Sequence, residues 1–118
     1  MTLHVVRDAA IRKLNRKYRK KDSATDVLSF PLQEYSISRN PRPIGPIRGP
    51  GGILEIGDVF IAEQTCKRQA REIGHSVRDE FYRLLVHGIL HLVGYDHERS
   101  AAEEKRMIKK EDELLAII

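Results

Sequence analysis

Residues 84–97 read Leu84-Leu85-Val86-His87-Gly88-Ile89-Leu90-His91-Leu92-Val93-Gly94-Tyr95-Asp96-His97, and no other stretch restricts the fold as tightly. Up to Gly94 the segment is apolar on nearly every side, so as a helix it must be covered all round. His87 and His91 are four apart, which on a helix separates them by about 40° around the axis and about 6 Å along it. Both imidazoles can therefore face one point. Gly94 permits the left-handed turn that ends a helix, and the chain can fold back to bring His97 to the same point. Three neutral imidazoles at about 2.0–2.1 Å make a zinc site with a position left for water. One histidine on an apolar helix is usually a hydrogen-bonded core residue. Two at i and i+4, then a terminating glycine and a third histidine, favour a metal. One zinc ion per chain, held by His87, His91 and His97, is expected.

The spacing equals that of the metzincin proteases, H-E-x-x-H-x-x-G-x-x-H. Here Gly88 replaces the glutamate that takes a proton from metal-bound water, which weighs strongly against a protease. Glycine inside a helix costs about 1 kcal/mol relative to alanine. Its presence suggests that substrate or another backbone passes close. His4 and His75 lie outside the pattern and read as ordinary surface residues.

Around this segment, Leu3–Val6 reads as a short strand or the end of one. Asp8 can cap a helix over 9–20, with Ala10, Ile11, Leu14 and Tyr18 at helical spacing. Val27–Phe30 is a strand ended by Pro31. Residues 36–52 are too rich in proline and glycine for a regular element and read as a loop, either a substrate-side flap or a disordered insertion, with disorder favoured. Residues 53–61 alternate as a strand, and 62–73 suit a helix ended by Gly74. Ser76 with Asp79 caps a helix over 77–93, and Ser100 with Glu103 caps a last one. The last helix carries Met107, Ile108, Leu114, Leu115 and Ile118 as an apolar face. Strands and helices mix in a single domain over 1–118, either α+β or α/β with a small sheet.

Of the 118 residues, 32% are charged and 41% hydrophobic, as in a globular protein rather than a disordered one. No apolar run is long enough to span a bilayer, and the N-terminus lacks the apolar stretch of a secretory signal. Cys66 has no partner in the chain, so a reducing, cytoplasmic setting is expected; the residue itself reads as a small buried apolar group on a helix. Seven of the ten residues from Arg12 to Lys21 are basic. This run is either a solvated helix face or a contact surface for a polyanion such as RNA, and composition does not choose between them.

The segment His87–His97 resembles the signature of the bacterial YbeY endoribonucleases. Leu14-Asn15-Arg16-Lys17-Tyr18-Arg19, with Thr25-Asp26-Val27-Leu28-Ser29-Phe30-Pro31, is similar to that family's first motif. Ile56-Gly57-Asp58-Val59 is similar to its strand motif, with Ile56 where leucine is usual. The resemblance runs from about Val5 to Leu115. It implies an α+β fold with a small mixed sheet, a zinc ion bound by His87, His91 and His97, and cleavage of single-stranded RNA. It also implies a role in ribosomal RNA maturation and ribosome quality control, with the small ribosomal subunit and its assembly factors as partners. Arg19 matches the arginine placed near the metal in a basic groove. Family members usually carry a further N-terminal helix and most of a strand, so the chain reads as a short or truncated form. The loop at 36–52 looks longer than usual.

Within that frame Arg19 is the expected catalytic residue, through a two-pronged contact with phosphate oxygens. Its bland alternative is surface solvation. Arg16, Lys17 and Lys20, with Lys13 and Lys21, would supply phosphate attraction. Asp96 is a candidate acceptor for the second N–H of a metal-binding imidazole, or equally a turn residue. Asp26 and Asp58 are candidate groove residues or mere caps, and no general base is evident. Two other readings stand beside the nuclease. One is a metallohydrolase of another substrate, peptides included. The other is a noncatalytic ribosome-binding protein with structural zinc, which would require a fourth protein ligand such as Cys66.

Overall fold

A computed structural model of the chain describes residues 1–31, 47–48, 54–95 and 100–117. In chain order the described elements are β1 (Thr2–Val6), α1 (Asp8–Arg19), β2 (Val27–Pro31), β3 (Ile47–Arg48), β4 (Leu54–Glu55), β5 (Gly57–Ala62), α2 (Glu63–Ile73), α3 (Val77–Leu92) and α4 (Ala101–Leu115). The fold class is α+β. β5 is the middle of a three-stranded mixed sheet, parallel to β1 and antiparallel to β2.

Alternation along β5 gives the sheet two covered faces. Val59 and Ile61 enter a core cluster with Cys66 of α2 and Leu84 and Leu92 of α3. Ala62 joins Ile11 of α1 and Leu28 of β2 on the opposite face, with Phe30 and Phe60 packed against them. α3 is in turn covered from outside by α4, where Met107 packs on Val86 and Leu90. The helix expected to be buried all round is thus sandwiched between the sheet and α4.

Gly88 lies against the sheet. A Cβ there would stand 2.7 Å from Val59 Cγ1 and 3.2 Å from both Ser29 Oγ and Val27 Cγ2. Ser29 Oγ also donates to the Gly88 carbonyl, at 2.9 Å. What comes close to this glycine is therefore strand side chains, not the substrate or backbone expected there. Gly88→Ala is expected to lose about 1 kcal/mol of stability. Overpacking a core costs about 1–3 kcal/mol, which outweighs the roughly 1 kcal/mol that helix propensity returns. A urea midpoint at or above wild type would show that the sheet yields freely.

Local signals at the helix ends are realised. Ser76 Oγ accepts from Asp79 N at 3.0 Å, and Ser100 Oγ from Glu103 N at 3.1 Å. Gly74 ends α2 in the left-handed region, φ 88°. Gly94, φ 101°, closes α3 with Tyr95 N donating to Leu90 O and Gly94 N to His91 O, the double bond pattern of a Schellman turn.

Three expectations need correction. Asp8 does not cap α1; Arg7 holds that position without a side-chain bond. The Asp8 carboxylate instead accepts from Thr65 N at 3.1 Å and Thr65 Oγ1 at 2.9 Å, while Asp8 N donates to Gln64 Oε1. It caps α2, whose first turn offers the unpaired N–H groups. The expected strand over 53–61 is two pieces, β4 and β5, parted at Ile56 just before Gly57 at φ 141°. Any Cβ at Gly57 would come within 2.3 Å of the Phe30 carbonyl oxygen. Finally, Ile47–Arg48 of the expected loop pairs antiparallel with Leu54–Glu55 as a ribbon. The rest of 36–52 lies outside the described residues.

Candidate active site

A cavity of about 610 Å³ opens where the end of α1, the segment after it, β2 and α3 meet. α1 ends because Lys20 takes a left-handed conformation, φ 56°. The following segment is tied down twice. Buried Asn15 donates from Nδ2 to the Ser23 carbonyl at 2.9 Å, and Arg12 grips both carboxylate oxygens of Asp22 at 2.9 and 3.2 Å. The cavity wall so formed carries Arg19, Lys21 and Asp26, with His87 and His91 on the α3 side.

The two imidazoles meet as their spacing requires. His91 Nε2 lies 3.2 Å from His87 Nε2, with the rings 70° apart. His87 Nδ1 faces Glu111 Oε1 of α4 at 2.5 Å. A proton on Nδ1, hydrogen-bonded to that carboxylate, leaves Nε2 of His87 as a lone pair turned toward His91. Two nitrogens each about 2.05 Å from one zinc ion at a near-tetrahedral angle lie about 3.1–3.4 Å apart. The pair therefore fits a shared metal in both spacing and donor chemistry. Among the described residues no group of three metal-binding side chains gathers; His97, expected as the third ligand, and Asp96 lie outside the described residues.

The other expected residues divide. Arg19 lines the cavity, and so does Lys21. Arg16, Lys17 and Lys20 are exposed on the same basic segment but away from the cavity lining, Lys17 lying over the ring of Tyr18. Asp26 lines the cavity and also caps locally, accepting from Val27 N at 2.8 Å. Asp58 is engaged elsewhere, 3.0 Å from His4 Nε2, and His4 stacks on Phe60. Nor is His75 an ordinary surface group, since its Nε2 lies 2.9 Å from Oε1 of Glu80, a carboxylate with 0% exposure. Cys66 sits in the core with Sγ 4.0 Å from the Val77 carbonyl, outside the cavity lining. Burial pushes its thiol above the ordinary range, and the nearby charge of Glu80 adds to this. It is a poor thiolate and not a fourth ligand here.

Glu80 and Arg83 form a charged brace one to two turns before His87. Burial would push the Glu80 carboxyl up. Hydrogen bonds from Arg83 and His75, with their charges, outweigh that and hold it below the usual range. Arg83 is raised chiefly by its hydrogen bond to Glu80, with Asp26 and Glu111 adding from nearby.

Comparisons with known proteins assign the family. The family model described as Endoribonuclease YbeY matches residues 1–118. The chain belongs to the YbeY endoribonuclease family. It is 45% identical over 116 residues to Endoribonuclease YbeY of Aquifex aeolicus, covering 98% of this chain and 68% of that protein. It is 46% identical over 121 residues to the Leptospira interrogans protein of the same name, covering 100% of this chain and 86% of the relative. The solution structure of TM1509 from Thermotoga maritima matches with a TM-score of 0.59 at 29% identity, over 96% of this chain and 63% of that one. No described helix is long and apolar enough to cross a membrane.

Asn15, Ser29 and Glu111 were given no role of their own from the sequence. Only Glu111 left a local trace. It stands four residues after Met107 and three before Leu114, an acidic residue on the face by which α4 docks.

Proposed function

We propose that the chain is a zinc-dependent endoribonuclease that cuts single-stranded RNA, acting in the cytoplasm in ribosomal RNA maturation and ribosome quality control. Ribosomal RNA, the small subunit and its assembly factors are the partners this reading names. The observation that carries it is the pair of Nε2 atoms 3.2 Å apart in a cavity that Arg19 also lines. His87, His91 and His97 would hold the ion, which when bound supplies a Lewis acid and lowers the pKa of coordinated water.

The chain's own groups do the rest. The Arg19 guanidinium offers a planar fork to phosphate oxygens and opposes charge that grows on them. Lys21 adds a second cation at the cavity wall, and the exposed basic face of α1 draws the RNA backbone in. Asn15 and the Arg12–Asp22 pair keep Arg19 and Lys21 in place by anchoring the segment between them and β2. A structural-zinc reading would need a fourth protein ligand, and the core position of Cys66 removes the candidate named for it.

The test is incubation of pure protein with single-stranded RNA and with casein, each with and without chelator. RNA should be cut, chelation should stop cutting, and added zinc should restore it. Casein should remain whole, since Gly88 faces Val59 and offers no base. Chelator-sensitive casein cleavage, or a zinc-loaded protein inert toward RNA, would overturn the reading.

A further inference from the structure

His87 reaches its partner on α4 across 24 residues of sequence. Packing beside it supports the contact. Met107, one turn before Glu111, packs against Val86 and Leu90, the neighbours of His87 and His91 on α3. The Glu111 carboxylate is itself only 18% exposed, so solvent screens it weakly. An imidazole whose Nδ1–H donates a hydrogen bond to a carboxylate keeps Nε2 as a lone pair and gains electron density there. Nε2 is the atom that His87 turns toward His91.

We propose that Glu111 is a positioning residue of the metal centre: it holds His87 in the Nδ1–H tautomer, fixes the ring plane and strengthens Nε2 as a donor. This inference rests on the zinc reading above. It makes α4 part of the site, although α4 contributes nothing to the described cavity lining.

The experiment uses full-length Glu111→Ala and Glu111→Gln proteins stripped of metal. Zinc affinity is measured by competition with a chromophoric chelator, and the His87 tautomer by imidazole ¹⁵N chemical shifts of the metal-free protein. Zinc affinity should fall about a hundredfold in Glu111→Ala and about tenfold in Glu111→Gln, the scale for removing such a partner. His87 should lose its Nδ1–H preference in Glu111→Ala and keep it in Glu111→Gln, whose amide oxygen still accepts. Glu111→Gln, nearly the same shape, serves if the alanine variant does not fold. Wild-type affinity in either variant, or an unchanged tautomer in Glu111→Ala, would overturn the proposal while leaving the zinc reading intact. A wild-type protein that takes up no zinc would overturn both.

Discussion

Arg19→Ala is expected to slow cleavage of single-stranded RNA by about 10²–10³ at saturating RNA, the scale for removing one preorganised stabiliser of developing charge. Zinc content and melting temperature should stay at wild type. Guanidinium stays protonated and offers no lone pair, so Arg19 cannot be a metal ligand. Its side chain is exposed at the cavity wall and carries no buried packing. Arg19→Lys should recover little, because an ammonium does not reproduce the two-pronged contact. Lys13→Ala or Lys17→Ala, away from the cavity lining, should only weaken RNA binding and flatten its salt dependence. Cleavage rates for the four variants, beside zinc content, decide the matter. Wild-type turnover by Arg19→Ala would reduce this arginine to one more solvated charge.

Arg83→Ala is expected to cost about 3 kcal/mol of stability at pH 7. Glu80 is fully buried, and losing the partner of a buried charge costs about 3–5 kcal/mol; Arg83, 39% exposed, is partly screened by solvent, which lowers the figure. The lower end applies because His75 still meets Glu80. The pH dependence separates this from lost packing. In the wild type Glu80 sits below its ordinary value of 4.5, so its contribution is present above that pH and is lost as pH falls through the lower folded value. Without Arg83, burial dominates and favours the protonated carboxyl. Acidification then relieves the variant while it weakens the wild type. The stability gap should therefore shrink between pH 7 and pH 4 in urea titrations. A gap constant with pH would assign the loss to packing of the arginine stem.

What the sequence discloses is what neighbours along the chain decide. Ser76, Ser100, Gly74 and Gly94 act on backbone groups within one turn, and each behaves as its pattern predicts. The i, i+4 pair of His87 and His91 is equally local, which is why two imidazoles facing one another were legible before any fold was known. Asp8 carries the same type of signal but spends its carboxylate on Thr65, 57 residues away. Nothing near Asp8 reveals that choice. The strand over 53–61 was read as continuous because alternation persists through Gly57, whereas its two pieces pair with different strands, Leu54–Glu55 with β3 and Gly57 onward with β2 and β1. His4 and His75 looked idle for the same reason: Asp58 and a buried Glu80 complete them only in the folded chain. Glu111 belongs with these. A glutamate in an acidic helix is unremarked until packing turns it toward an imidazole.

The strand order carries a consequence for how such a chain comes off the ribosome. Among the described strands β1 and β2 bond only to β5, so the strand made last of the three occupies the middle of the sheet. While residues up to Pro31 are being made, the first two strands have no edge to join, and the segment bearing Arg19 has no floor. Pairings this distant in sequence form late and slowly. Even after the sheet closes, His87 waits for α4, which follows α3 in the chain and carries Glu111. A copy made only as far as β2 thus carries Arg19 and Lys21 but not the α3 histidines that face them across the cavity.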